Sequence, residues 1–306
     1  MVILGLDIGG TKTAVVVGNE RGAVLHRRQF PTVPARGFAV VYSELTTQMR
    51  SVLEAPGCGV EVISVSIGGP LDVLNGIINS PPHLPGWDEI PLKEKLEAEF
   101  HLPVLVEHDG NAGALAEWHF GAGRGFTNIV FLTMGTGLGA GLILDGRIYR
   151  GTTDTAGELG HIRIAETGPY CYGKAGSLEG YGSGTGIAHI ARTMYPALWG
   201  NHARVEDVHA HFERGSTEAR DVFEHAGFHF GRGLAMIADM LNPQRIILGG
   251  IGMRLGEALL APARAAFVAE ALPVAARACE ILPAQLGEAI GDIASLCAAI
   301  DRFRST

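Results

Sequence analysis

The sequence predicts an α/β protein built from two related domains. The stretch Gly5-Leu-Asp-Ile-Gly-Gly-Thr-Lys-Thr-Ala-Val-Val-Val-Gly18 reads as strand, tight Gly/Thr turn, strand. Leu132-Thr-Met-Gly-Thr-Gly-Leu-Gly-Ala-Gly-Leu-Ile-Leu-Asp145 repeats it, and aligning Asp7 with Thr133 puts Gly9 over Gly135. The chain has 306 residues, enough for two domains with sizeable cores.

Val2 to Asp7, Thr13 to Gly18 and Ala23 to Phe30 read as three successive strands, with Gly18-Asn-Glu-Arg-Gly22 as a hairpin. Phe38 to Leu53 has helical period, apolar at Val41, Leu45, Met49 and Val52. Val60 to Ile67 is a buried strand ending in Gly68-Gly69-Pro70. Residues 70–91 are rich in Pro and Gly and read as a long irregular segment holding Asn79, Ser80, His83 and Trp87. Such segments are more often functional than idle. A helix over Leu92 to Phe100 and a strand over Pro103 to Val106 lead to Glu107-His-Asp-Gly-Asn111 and an Ala-rich helix through Trp118.

Residues 118–127, with Gly121, Gly123 and Gly125, join the halves as a hinge. Asn128 to Thr133, Ala140 to Leu144 and Arg147 to Tyr149 repeat the three-strand opening. Ser183, Gly184 and Thr185 cap a helix running to Tyr195, and residues 196–216 read as irregular. Glu218 to Leu241 is a long helix stopped at Asn242-Pro243. His225 and His229 lie one turn apart on it and read as part of a helix face. Arg245 to Leu248 is a buried strand ending in Gly249-Gly250. A helix over Glu257 to Ala271, a strand over Cys279 to Ala284 and a helix over Ala289 to Phe303 complete the chain.

Hydrophobic residues make 47% of the chain and charged ones 18%, as in a globular enzyme. The net charge of −8 and the lack of a Lys/Arg cluster argue against a nucleic-acid surface. Cys58, Cys171, Cys279 and Cys297 have no framework spacing, which fits a reducing compartment. A strand begins almost at once, leaving no room for a signal peptide, and no apolar stretch is long enough to span a membrane. The expectation is a cytoplasmic protein without membrane or nucleic-acid partners.

Gly-rich turns bring backbone N–H groups close to anionic oxygens. Thr11, Thr13, Thr133 and Thr136 add hydroxyls and Lys12 a charge. Asp7, a carboxylate beside such a cradle, suits a divalent cation between it and phosphate. Asp109 follows a strand and precedes a helix, so it can face a crevice or serve only as an N-cap. Glu158 and His161, three apart, can each accept hydroxyl hydrogens, as can Glu179. Each alone also fits a structural role, and Gly249-Gly250 alone fits a simple strand-to-helix turn.

Asp7-Ile-Gly-Gly-Thr-Lys-Thr resembles the first phosphate motif of the sugar kinase, hexokinase and actin-type ATPases, and the second Gly/Thr turn resembles their second. Gly157-Glu-Leu-Gly-His161 and Gly176-Ser-Leu-Glu179 narrow the resemblance to the ROK family of bacterial sugar kinases and repressors, over nearly the whole chain. It implies two ribonuclease-H-like (actin-like ATPase) domains with mixed sheets flanked by helices and a cleft between them. The expected division is 1–118 plus 290–306 for the small domain and 119–289 for the large one.

The resemblance implies an ATP-dependent kinase of a hexose or N-acetylhexosamine, with Asp109 as general base. Sugar contacts fall on Gly69, Asn79, His108, Asn111, Glu158, His161 and Glu179. ATP contacts fall on Asp7, Gly9, Gly10, Thr11, Lys12, Thr133, Gly135, Thr136, Gly137, Gly249 and Gly250. Asp7 orients magnesium, through water. The partners are a small-molecule sugar and ATP, and the family also allows a homodimer. His108 departs from the family's Asn. Tyr170, Tyr172 and Ser177 stand where the family has three zinc-binding cysteines, with Cys171 between. His161 alone cannot hold structural zinc, so no zinc site is expected. The two tyrosines are expected to replace the metal by packing and hydrogen bonds. The competing reading is a non-catalytic sugar-binding sensor; a repressor would need a helix-turn-helix before the first strand, where this chain has one residue.

Overall fold

A computed structural model describes residues 1–54 and 59–304 of the chain; Cys58 lies outside the described residues. Two compact units form. One comprises Met1–Phe120, Arg150–Ala156 and Glu288–Thr306, the other Gly121–Tyr149 and Gly157–Gly287. The 150–156 segment groups with the first unit, although its sequence neighbours on both sides belong to the second.

In the first unit, β1 (Val2–Ile8), β2 (Lys12–Asn19) and β3 (Val24–Pro31) form an antiparallel meander. The helix α1 (Phe38–Leu53) buries Val41, Leu45, Met49 and Val52, the stripe its period demands. Each such side chain contributes roughly 1.5–3 kcal/mol. It leads to β4 (Val62–Ile67), parallel to β1. The 70–91 segment is more regular than its composition suggests. It holds a small sheet of β5 (Leu71–Asp72), β6 (Ile77–Ile78) and β7 (Ile90–Pro91). Then α2 (Leu92–Phe100) precedes β8 (Val104–His108), parallel to β4, and α3 (Asp109–Phe120) follows directly. The sheet order is β3-β2-β1-β4-β8.

The second unit repeats this plan. Strands β9 (Ile129–Met134), β10 (Leu138–Leu144) and β11 (Arg147–Ile148) form the meander. A short hairpin of β12 (Tyr170–Cys171) and β13 (Lys174–Ala175) precedes α4 (Leu178–Gly182) and α5 (Gly184–Met194). Ser183 caps α5, its hydroxyl accepting from the Gly186 N–H at 3.0 Å. The 196–216 segment, expected to be irregular, forms α6 (Pro196–Trp199) and α7 (Val205–Glu213). α6 is about one turn, too short for a period to show. The long α8 (Thr217–Leu241) ends at Asn242, which takes a left-handed conformation before Pro243.

Strand β14 (Arg245–Leu248), α9 (Ile251–Leu255), α10 (Glu257–Glu270), α11 (Pro273–Ala278) and β15 (Glu280–Pro283) follow. The order β11-β10-β9-β14-β15 matches the first sheet strand for strand, two antiparallel pairings then two parallel ones. Finally α12 (Ile290–Arg304) returns to the first unit and packs against β1, β4 and α3. Among the described residues no helix is long and apolar enough to cross a membrane.

Candidate active site

In the first unit the candidate residues gather at one end of one sheet. Ile8, Ile67 and His108 stand abreast in register at the carboxyl ends of the parallel strands β1, β4 and β8. Asp7, Gly69 and Asp109 are therefore neighbours by topology, at the edge where open α/β sheets bind ligands. Burial, and next the nearby Asp109 carboxylate, push the Asp7 pKa up to about 7, against the opposing pull of Lys12. Two carboxylates held this close suit a cation bound through water.

The turn after β1 is closed by the Gly9 N–H donating to the Lys12 carbonyl at 3.1 Å. Thr11 and Lys12 are exposed, but Thr13 is not available to a ligand. It is buried, and its hydroxyl shares a 2.9 Å hydrogen bond with Thr32, whose own hydroxyl lies 2.6 Å from the Gly9 carbonyl. Thr32, which no local pattern marks, thus braces the turn from β3's end.

Asp109 opens α3, half exposed, its Oδ1 accepting from the Gly110 N–H at 2.7 Å. His108 Nδ1 lies 3.3 Å from that oxygen. The segment is anchored beneath by Glu107, which is 1% exposed. One Glu107 oxygen accepts from the His108 N–H at 3.0 Å and the Asn111 amide at 2.9 Å. The other accepts from Arg150 Nε at 3.1 Å and Nη2 at 2.5 Å. A buried carboxylate requires such a partner. Asn111 is itself buried.

The 70–91 loop divides. Asn79 is exposed, its N–H donating to the Pro70 carbonyl at 2.9 Å, after a cis Gly69–Pro70 bond. Ser80 is exposed too. His83 packs against Gly68 and the turn at Gly10, and burial holds its pKa below the usual range against the pull of Asp109. Trp87 leaves the candidate set: it is fully buried, edge-on to Phe38 at 4.9 Å, as part of the core.

In the second unit Thr133, Gly135, Thr136 and Gly137 form the matching turn, closed by the Gly135 N–H donating to the Gly137 carbonyl at 2.9 Å. Glu179, in α4, reaches back to it. Its Oε2 accepts from the Leu138 N–H at 2.9 Å, and a Cβ on Gly137 would lie 2.8 Å from that oxygen. Glycine is what lets the carboxylate approach. Glu158 Oε2 and His161 Nε2 are 3.8 Å apart and both half exposed. Gly249 and Gly250 follow β14, and Gly250 takes φ 58° against the Met134 carbonyl. Beside them α7 and α9 line an open pocket of about 450 Å³, bordered by Val205, His209, Ala210, Ile251, Arg254 and Leu255. Its α7 wall falls in the 196–216 segment, which is expected to be irregular.

The positions matched to zinc ligands hold no zinc set. Two phenols and an alcohol do not supply the closed N/S shell that structural zinc takes. Among the described residues no group of three or more His, Cys, Asp or Glu is arranged to hold a metal. The two tyrosines are not equivalent. Tyr172 stacks on His161, ring centroids 3.7 Å apart, and donates to Glu179 Oε2 at 2.9 Å, whereas Tyr170 is 72% exposed. The expectation of packing by both is corrected: only Tyr172 packs there. His229, half-buried on α8, stacks on Tyr181 at 4.3 Å.

Twin sheets with a Gly/Thr turn after the first strand of each define the actin-hexokinase class of two-domain α/β proteins. The ROK family model matches residues 3–299, and the chain belongs to the ROK family. A glucokinase of Halalkalibacterium halodurans is 33% identical over 95% of this chain and 92% of its own length. The ROK hexokinase of Thermus thermophilus superposes with a TM-score of 0.85 at 30% identity, each chain covered fully. A Streptomyces griseus ROK glucokinase, crystallised with glucose and AMPPNP, gives 0.80 at 31% identity over 97% of this chain and 98% of its own. Transcriptional repressors are among the relatives as well.

Proposed function

We propose that the protein transfers the γ-phosphoryl group of ATP to a hydroxyl of a hexose or N-acetylhexosamine. The observation that carries this is the convergence of Asp7, the Gly9–Lys12 turn and Asp109 at the carboxyl ends of neighbouring strands. The glucokinase relatives, one named with glucose and AMPPNP, support it and make glucose the first sugar to test.

In this reading Asp109 accepts the proton of the attacking hydroxyl. Glu107 and Arg150 hold its segment in place. Glu158, His161 and Glu179 accept hydrogen bonds from the sugar, and Gly69, Asn79 and His108 are further sugar contacts in this reading. Asn111 donates its amide to Glu107 and keeps its Oδ1 without a partner, the atom that would accept from a sugar hydroxyl. The two Gly/Thr turns and Lys12 hold the phosphates. The nucleoside lies against Gly249-Gly250, with the pocket between α7 and α9 to receive its base. Asp7 fits magnesium, whose charge would neutralise phosphate as it is transferred. Most of the rate then comes from positioning and electrostatics. A cytoplasmic location and a homodimer belong to the same reading.

Asp109→Asn is expected to lower kcat about 10²- to 10⁴-fold while calorimetry shows glucose affinity retained. Near-normal turnover in that variant would remove Asp109 as base. The alternative, a sugar sensor without catalysis, has repressors among the relatives in its favour. It is distinguished by sugar binding without phosphate transfer.

A further inference from the structure

We infer that Tyr172 is the positioning residue of the sugar-binding set, holding His161 and Glu179 with its own ring and hydroxyl and without a metal. The inference rests on the sugar-binding reading of those two groups. Tyr172 adopts φ 53°, a left-handed conformation unfavourable for an aromatic residue. It sits at the tip of the β12–β13 hairpin, where Gly173 follows with φ 74°. The backbone turn swings the ring onto the His161 imidazole, tilted by 25°. The stack fixes the plane in which the His161 nitrogens can meet a hydroxyl.

The phenol end does a second job. Its O–H donates to Glu179 Oε2, the oxygen that also receives the Leu138 N–H. Two donors on one oxygen fix the carboxylate's rotation, and one of them comes from the phosphate-turn side. Tyr172 therefore ties the stretches at 161 and 179 directly, and Glu179 carries the tie on to Leu138. Burial and the bond to Glu179 push the phenol well above its usual pKa, so it stays a donor across the working pH range. Cys171 next to it is held as a thiol by burial and by Glu179. Ser177 is fully buried and caps α4, its hydroxyl accepting from the Gly180 N–H at 3.3 Å.

The test measures glucose and N-acetylglucosamine affinity by calorimetry for wild type, Tyr172→Phe, Tyr172→Ala and Tyr170→Ala, with ATP affinity and phosphate transfer alongside. Tyr172→Ala is expected to weaken sugar binding on the order of tenfold or more. Tyr172→Phe, which keeps the stack, should lose less, and Tyr170→Ala nothing. ATP affinity should hold in all, which a merely unfolded variant would not allow. The His161 ring resonances, shifted by the stacked phenol in wild type, should move in Tyr172→Ala and stay in Tyr172→Phe. Metal analysis should find no stoichiometric zinc, and phenanthroline should leave sugar affinity unchanged. Sugar affinity within twofold of wild type in both Tyr172 variants, stoichiometric zinc, or no sugar binding at all by wild type would overturn the inference. Wild-type sugar binding without transfer would instead sink the kinase reading, and the Tyr172 comparison would still decide this one.

Discussion

Asp7 is the residue with the clearest electrostatic signature. Its carboxyl titrates near 7 in the folded chain, against an ordinary value of 3.8. The folded state therefore holds a proton that the unfolded state has lost, and stability falls as pH rises from about 4 to about 7. His229 works the other way. Burial lowers its pKa from 6.5 to about 4, so its contribution is present above 6.5 and is lost as pH falls toward 4. The two slopes overlap, so the informative measurement is a difference. Melting temperatures of metal-free wild type minus Asp7→Asn should decline steadily across pH 4–7, since His229 cancels. Magnesium with nucleotide should stabilise wild type above pH 6 by more than it stabilises Asp7→Asn, which keeps the turns but loses the cation's carboxylate. A flat difference would contradict the account of Asp7. Among residue-scale features, Asp7 and Asp109 were legible because each sits beside its own strand end in sequence. Thr32 was not, because it meets Thr13 only through the β2–β3 register.

At the scale of elements, the β8–α3 junction depends on a segment that arrives from far along the chain. Arg150 follows β11 by two residues and pairs with Glu107, 43 positions earlier. Arg150→Met would leave a buried carboxylate unpaired, costing about 3–5 kcal/mol. It should also lower kcat more than sugar KM, since Asp109 rides on the same segment. Replacing both partners, as in Glu107→Gln with Arg150→Met, should recover much of the stability and little of the turnover. A single variant as stable as wild type would refute the anchoring. A carboxylate closing the apolar run Val104–Val106 does signal that a cation must be near. Which cation is set by the fold, and no local spacing reveals it. The same holds for Trp87, whose Pro/Gly-rich surroundings suggest a loop while its ring fills the core.

For the whole molecule, the repeated strand–turn–strand was the most informative sign. It foretold two sheets, and the sheets agree in strand order and direction. Strands two to eight residues long with apolar runs announce themselves, whereas the pairings that build a site join residues tens of positions apart. Tyr172 shows the limit: a departure from the family pattern is visible in sequence, but its stack on His161 and bond to Glu179 are not. Phosphate transfer to a sugar is measured by incubating the pure protein with Mg-ATP and a panel of hexoses and N-acetylhexosamines, and following sugar phosphate and ADP together. A sugar kinase gives stoichiometric sugar phosphate from at least one sugar, glucose first, with little ADP formed in its absence. No sugar phosphate across the panel, with sugar binding intact, would contradict the kinase reading and leave a sensor.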